Sequence, residues 1–279
     1  MVKVGVHISI AGSLDRAVDR AKSAGCDVFQ MFSRSPRGWG FAPLSEEIRT
    51  SFTAKILSTG IIPVDHMPYL PNLASPKPDI YGKSISALSA ELDRCELLGI
   101  PYLVTHLGHH LGDGIAGGRS RVIGAINTAL ENSDNNVVLL LENTAGEKNS
   151  VGSSFEHIRG IMDGVDKEDR IGVCLDTCHA FAAGYELRTE TGIAETLAQF
   201  EDQVGIKNLR IIHLNDSKGD RGRCLDRHEH IGMGFIGEEG FRRILHHPVL
   251  SAIPLICETP VDDRRDDVGN IEKVRELAK

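Results

Sequence analysis

Histidines and carboxylates recur where short apolar runs of this 279-residue chain end. Six successive runs close on a residue that can bind a metal or carry a proton, namely His66, His106, Glu142, Asp176, His213 and Glu258. Burying such groups without partners is costly, so their recurrence indicates that they share a binding partner. Imidazole nitrogens and carboxylate oxygens are ligands that zinc accepts. The pattern therefore predicts a metal cluster.

Three further residues extend this set. His179 follows Asp176 by three positions, so a helical turn would bring both side chains to one pocket. Asp226 and His228 are separated by one residue, and alternation in an extended segment would point them the same way. Nine nitrogen and oxygen ligands exceed the roughly four that one zinc ion takes, which predicts two or three ions sharing carboxylates. Cys174 and Cys178 are more typical of core or loop neighbours than of ligands.

The apolar runs are predicted strands, each followed by a segment with helical spacing. The eight runs cover residues 2–7, 27–31, 61–66, 102–106, 137–142, 171–176, 209–213 and 253–258. Nearly continuous apolar strands alternating with helices indicate a parallel sheet covered on both faces. No GxGxxG motif follows the first run to support a dinucleotide fold. We expect one α/β domain over residues 1–279, a (β/α)8 TIM barrel with its metal site at the C-terminal rim of the strands.

The intervening helices show terminal signals. The first is predicted over residues 14–23, with Ser13 as its N-cap. The second is predicted over residues 45–57, with Glu46 and Glu47 in a first turn where the helix dipole favours acids. A long helix over residues 81–98 should end at Gly99. Residues 261–269 are polar, which predicts an exposed loop before the last helix.

Composition restricts the functional classes. The formal net charge of -8 argues against a nucleic-acid partner, but divalent ions would add positive charge where a phosphate must sit. No apolar run approaches the roughly 18 residues of a membrane span, and the N-terminal residues lack the pattern of a secretory leader. The six cysteines are scattered without a CxxC pair. We expect a cytoplasmic protein with reduced thiols and no membrane partner.

Several local motifs resemble endonuclease IV, the zinc-dependent apurinic/apyrimidinic endonuclease family, over essentially the whole chain. They are LDTCHAFAAG at 175–184, HLNDSK at 213–218, DRHEHIGMGFIG at 226–237, ENTAG at 142–146 and VKVGVHISIAG at 2–12. Two positions depart from the family pattern. Leu107 stands where a proline usually follows His106, and Glu147 stands where a glutamine is common. The departures concern loop shape and DNA contacts, because all nine candidate ligands are present.

The resemblance implies three zinc ions, with manganese possible in one site. His66 and His106 would hold the first ion, and Glu142 would bridge it to a second completed by Asp176, His213 and Glu258. The third would be held by His179, Asp226 and His228. Glu142, which bridges the metals that hold the nucleophile, and Glu258 would be the catalytic residues.

The implied reaction is hydrolysis of the DNA phosphodiester on the 5′ side of an abasic site, leaving a 3′ hydroxyl. The same chemistry would clean blocked 3′ ends as a phosphodiesterase or phosphatase. The partner is then double-stranded DNA with abasic sites or blocked 3′ ends, and the resemblance suggests a monomer. Contacts to DNA are expected from loop residues at the rim, namely Arg37, Trp39, Tyr69, Lys218 and Arg227. The segment from Arg34 to Trp39 combines cations with the only tryptophan and could follow phosphates and enter the base stack. The alternative is a solvated loop with Trp39 packed on the barrel.

Two other functions fit parts of the pattern. A metal-dependent sugar isomerase or epimerase of the same barrel class would suit the negative charge but needs fewer ligands. A metal-storing or scaffold barrel would instead have closed, four-coordinate sites. The full set of nine candidate ligands, and the Asp226 to His228 element above all, favours the nuclease.

Overall fold

In a computed structural model, which describes residues 2–40 and 42–279, strands and helices alternate along the chain. The strands are β1 (Val4–Val6), β2 (Val28–Met31), β3 (Ile62–His66), β4 (Tyr102–His106), β5 (Val138–Glu142), β6 (Ile171–Asp176), β7 (Leu209–His213), β8 (Asp216–Ser217), β9 (His228–Glu229) and β10 (Leu255–Cys257). The helices are α1 (Arg16–Ser23), α2 (Glu46–Thr59), α3 (Pro78–Leu98), α4 (Ile115–Asn132), α5 (Phe155–Met162), α6 (Thr177–Ala183), α7 (Glu190–Gln203), α8 (Gly237–His246) and α9 (Asp267–Leu277).

Eight parallel strands form the central sheet in the order β1-β10-β7-β6-β5-β4-β3-β2. The ends of this order are joined by a parallel bridge between His7 and Gln30 and by the hydrogen bond from Ile8 N to Gln30 O. The strands therefore surround a central core, and the predicted (β/α)8 barrel is confirmed. The short strands β8 and β9 form a separate antiparallel hairpin beyond β7, which the sequence did not predict.

A separate cluster of apolar side chains fills the barrel interior. Its buried members come from seven successive strands of the ring, namely Val28, Val64, Val104, Leu140, Cys174, Ile211 and Ile256. On the remaining strand, β1, stands Gly5, where an added Cβ would lie 1.6 Å from the carbonyl oxygen of Val28. Filling by such mostly branched side chains makes the barrel a packed core without a pore.

The helix boundaries follow the predicted signals in part. Ser45 caps α2 by accepting a hydrogen bond from Ile48 N, and Gly99 ends α3 with a φ of 69°. The N-cap prediction for Ser13 is wrong, because α1 begins at Arg16 and the Ser13 hydroxyl binds the Asp15 carboxylate instead. α3 starts three residues early because Pro78 suits a first helical turn.

The carboxyl ends of the barrel strands meet at one rim and place the polar residues there. β4 and β5 pair His106 with Glu142, and β6 and β7 pair Asp176 with His213. The eighth barrel strand ends at Cys257, so Glu258 lies one residue beyond it and not on the strand as predicted. Among the described residues, the structure has no helix long and apolar enough to cross a bilayer.

Candidate metal centre

Glu142 lies at the centre of the rim and faces histidines on two sides. Its Oε2 atom is 3.2 Å from His66 Nε2 and 3.4 Å from His106 Nε2. Its Oε1 atom is 3.1 Å from His213 Nδ1 and 3.4 Å from His179 Nδ1. Since the two oxygens point to different neighbours, this carboxylate can bridge two cations.

The structure brings all nine predicted ligands together in overlapping groups. Within each group, one ligand atom per residue lies within 4.8 Å of all the others. Three of the groups are His66, His106 and Glu142; Glu142, Asp176, His213 and Glu258; and His179, Asp226 and His228. The first two groups share Glu142, and a fourth group links Asp176 with Cys178 and His228. An arrangement of this kind is consistent with several metal ions.

Two buried ring nitrogens test whether these residues suit a metal. His179 Nε2 and His228 Nε2 have no hydrogen-bond partner within the described chain, although each lies near Asp226 Oδ1, at 3.2 and 3.6 Å. A buried donor or acceptor without a partner is costly, and native proteins rarely keep one. A cation between these nitrogens and the carboxylate would satisfy all three, so the residues fit a metal.

In the centre, the histidines and carboxylates stabilise each other's charged forms. Burial opposes ionisation of Glu142, yet His106 and His213 hold its pKa well below the ordinary value. Burial would likewise lower the pKa of His179, but Asp176, together with other carboxylates, raises it well above the usual value. The carboxylate is therefore ionised before any cation binds. A metal would have to displace a proton from the histidine, as metal binding generally does.

Two asparagines of the recognised motifs hold the ligands in place, a role the sequence did not reveal. Asn215 donates from Nδ2 to Asp176 Oδ2 at 2.7 Å and accepts the backbone N–H of Glu258 at 2.7 Å. Asn143 accepts the backbone N–H of Asp176 at 2.7 Å. In the sequence they were marked only as members of the ENTAG and HLNDSK motifs, within two residues of a candidate ligand. Such outer partners orient metal ligands.

Comparison with known proteins identifies the family. The family model described as Xylose isomerase-like TIM barrel matches residues 18–279. The chain is 60% identical over 280 residues to the probable endonuclease 4 of Methanoculleus marisnigri, an alignment that covers 100% of this chain and 99% of that relative. The chain belongs to the endonuclease IV family. The crystal structure of endonuclease IV from Thermus thermophilus agrees, with a TM-score of 0.88, 34% identity, and coverage of 99% of this chain and 98% of that one.

The barrel itself is shared more widely than the endonuclease IV family. A D-tagatose 3-epimerase-like protein aligns with a TM-score of 0.73 at 18% identity, over 99% of this chain and 96% of that chain. At this identity the likeness establishes the fold alone. Family membership therefore rests on the close relatives and on the motifs, and it makes the chain an enzyme of the endonuclease IV type.

The two arginines and the tryptophan in the loop after β2 differ in how exposed they are. Arg37 is exposed, whereas Trp39 is half-buried against the hydrophobic core, with Lys83 Nζ 6.0 Å from its ring centre. Arg34, which the sequence grouped with them as a possible phosphate contact, is buried and paired with Glu91 of α3. Its guanidinium also donates to the Trp39 carbonyl at 3.0 Å. The buried Arg34 side chain therefore stabilises this loop and is not available as a phosphate contact.

The remaining predicted contacts stand around the cluster. Tyr69 is 69% exposed, and its ring centre lies 6.2 Å from that of His66 and 6.4 Å from that of His106. Lys218 and Arg227 are exposed and are joined by the backbone hydrogen bond from Lys218 N to Arg227 O. They therefore lie on the hairpin that presents Asp226 and His228 to the cluster.

Cys178 is the one thiol in the groups of candidate ligands formed by the described residues, and we predict that it binds no metal. Its Sγ atom lies 3.7 Å from the Arg227 carbonyl oxygen, and burial raises the pKa of the thiol to about 12. A Cys178→Ser variant keeps a donor to that carbonyl, so its metal content and incision rate should stay within about twofold of the wild type. Metal analysis of the purified variant checks this. Loss of one ion per chain would show instead that the thiolate is a ligand.

Proposed function

We propose that the protein hydrolyses the phosphodiester on the 5′ side of an abasic site in double-stranded DNA and leaves a 3′ hydroxyl. The proposal rests on nine converging ligands at the rim of an endonuclease IV-type barrel. His66, His106 and Glu142 would hold one zinc ion; Glu142, Asp176, His213 and Glu258 a second; and His179, Asp226 and His228 a third. Manganese would also suit the site with more oxygen ligands.

The exposure of the candidate ligands supports one direction of approach for a DNA phosphate. The side chains of His106 and Asp226 are 38% and 40% exposed, whereas those of His66, Glu142 and His213 are at most 1% exposed. The cluster therefore opens between His106 and the β8–β9 hairpin. When bound, clustered divalent ions neutralise phosphoryl oxygens, acidify water and stabilise the leaving oxygen. Glu142 and Glu258 would hold the ions that bind the nucleophile.

The rim residues would hold the duplex. Arg37, Lys218 and Arg227 are exposed cations, the last two on the hairpin beside the opening, and they suit phosphate contacts, which position DNA without reading its sequence. Tyr69, followed by Leu70 at 41% exposure, offers an aromatic and an apolar side chain beside the ligands. Such side chains enter the base stack where a missing base has weakened it. The same opening would accept a blocked 3′ end. Removal of the blocking group is again hydrolysis of a phosphate ester that leaves a 3′ hydroxyl.

A test combines incision with metal analysis on one sample. The purified protein is incubated with a duplex carrying one abasic analogue that cannot undergo β-elimination, and an undamaged duplex is the control. We expect a cut on the 5′ side that leaves a 3′ hydroxyl, with about three metal ions per chain. An intact damaged duplex despite full metal occupancy would overturn the proposal. Keto-sugars would then be tested as substrates for an epimerase.

Replacing Tyr69 should separate DNA binding from metal binding. Loss of one base-stacking contact costs about 1–3 kcal/mol, so Tyr69→Ala should raise KM about 10- to 100-fold with the metal content unchanged. Steady-state incision kinetics on the abasic duplex measure this. Leu57→Ala, which removes another highly exposed apolar side chain on the distant helix α2, is the matched control. An unchanged KM in Tyr69→Ala would exclude the wedge role.

A further inference from the structure

Three of the five histidines among the candidate ligands are oriented by a hydrogen bond from one ring nitrogen to the backbone. In His66, His179 and His228 this nitrogen is Nδ1, and its partner is a backbone carbonyl. The carbonyls belong to Met67, Asn143 and Glu258, at 2.6, 2.9 and 3.0 Å, respectively. A carbonyl can only accept, so each Nδ1 carries a proton and each Nε2 is the nitrogen left to bind a cation.

His213 is oriented in the opposite way. Its Nδ1 atom faces the cluster, 3.1 Å from Glu142 Oε1 and 3.2 Å from Glu258 Oε2. Its Nε2 atom lies 2.8 Å from Oε1 of Gln30, a fully buried side chain at the end of β2. Among these four histidines, His213 is thus the one whose partner is a side chain that mutation can remove.

The chemistry of the neighbours determines which way the Gln30 amide points. Gln30 Nε2 lies 2.6 Å from Glu258 Oε1, and a carboxylate oxygen only accepts hydrogen bonds. The amide NH2 must therefore face Glu258, and the amide oxygen must face His213. It follows that His213 Nε2 carries a proton and that Nδ1 is the nitrogen left to bind a cation in the cluster. The second NH2 hydrogen is directed to His7 Nδ1 at 3.1 Å.

We propose that Gln30 is a positioning residue for the metal centre. Its single amide group sets both the tautomer of His213 and the rotation of the Glu258 carboxylate. This inference rests on the proposed metal-dependent function. By occupying Glu258 Oε1, Gln30 leaves Oε2 next to His213 Nδ1, where the two can share a cation. The hydrogen bonds of Gln30 involve neither Asp226 nor His228, so its effect should be confined to the ion held by His213 and Glu258.

The first experiment measures metal affinity in Gln30→Met, which keeps the side-chain length and removes both hydrogen-bonding groups. Competition with a chromogenic chelator should show one zinc ion bound about 10- to 100-fold more weakly, the range seen when an outer partner of a ligand is lost. The other ions should be retained. Gln199→Met, the same change at an exposed position of α7, should bind all ions as the wild type does. Unchanged affinity for every ion in Gln30→Met would overturn the inference.

A second experiment uses the unaltered protein and so does not depend on the folding of a variant. Nitrogen-15 NMR of the zinc-loaded imidazoles should find the proton of His213 on Nε2 and those of His66, His179 and His228 on Nδ1. A proton on Nδ1 of His213 would overturn the inference, even if the metals are bound. Failure of the wild type to bind zinc would instead refute the proposed function, so the two failures are distinguishable.

Discussion

Glu142→Gln should lower kcat/KM for incision of an abasic duplex by about 10⁴-fold or more, the scale on which removal of one member of a catalytic set acts. Both Glu142 oxygens face histidines, Oε2 toward His66 and His106 and Oε1 toward His213. An amide offers one neutral oxygen in their place and directs an NH2 group at the other side. Two ions would thus lose a shared ligand, and metal analysis should find both weakened.

The fold of the Glu142→Gln variant should persist, because glutamine has nearly the same shape as glutamate and the apolar cluster inside the barrel is unchanged. Circular dichroism and thermal unfolding of the metal-free protein test this. Glu156→Gln removes one negative charge from an exposed position of α5 and should leave incision unchanged. Near-normal incision by Glu142→Gln, with all ions present, would exclude the bridging role.

The sequence was sufficient to predict the barrel and the place where its candidate metal ligands meet. In parallel strands the carboxyl ends share one rim, so residues that end consecutive strands must meet. His66, His106 and Glu142 illustrate this, since each ends a strand in the structure. The spacing of Asp226 and His228 was also informative, because both reach the cluster on the side that α6 supplies with His179.

The residues that support the cluster and its loops could not be predicted from local sequence patterns. Gln30 is neutral and lies in an apolar strand, and only the barrel closure that brings β2 beside β1 reveals its contacts with Glu258 and His213. The buried pair of Arg34 and Glu91 joins residues 57 positions apart. A loop arginine near a tryptophan looks like a DNA contact in sequence, and only its burial identifies it as a structural residue.

Replacement of Asp226 should show most clearly that the three proposed metal sites are distinct. This residue belongs to only one group of candidate ligands, with His179 and His228, and its side chain lies at the solvent-exposed edge of the cluster. Asp226→Asn replaces the only carboxylate of that group with a neutral ligand that zinc accepts poorly. We expect the variant to lose about one metal ion and keep about two, and to incise about 10²- to 10³-fold more slowly, since one of the ions that neutralise the phosphate is gone.

This result differs in kind from that of Glu142→Gln, which should weaken two ions at once. Asp220→Asn is a suitable control because Asp220 is exposed, lies on the same segment and forms an ion pair with Arg188, at 3.2 Å, away from the ligands. An exposed pair of this kind contributes little to stability. If Asp226→Asn kept its full metal content and the wild-type rate, Asp226 would be no ligand, and the two unpartnered nitrogens of His179 and His228 in the described chain would need another explanation.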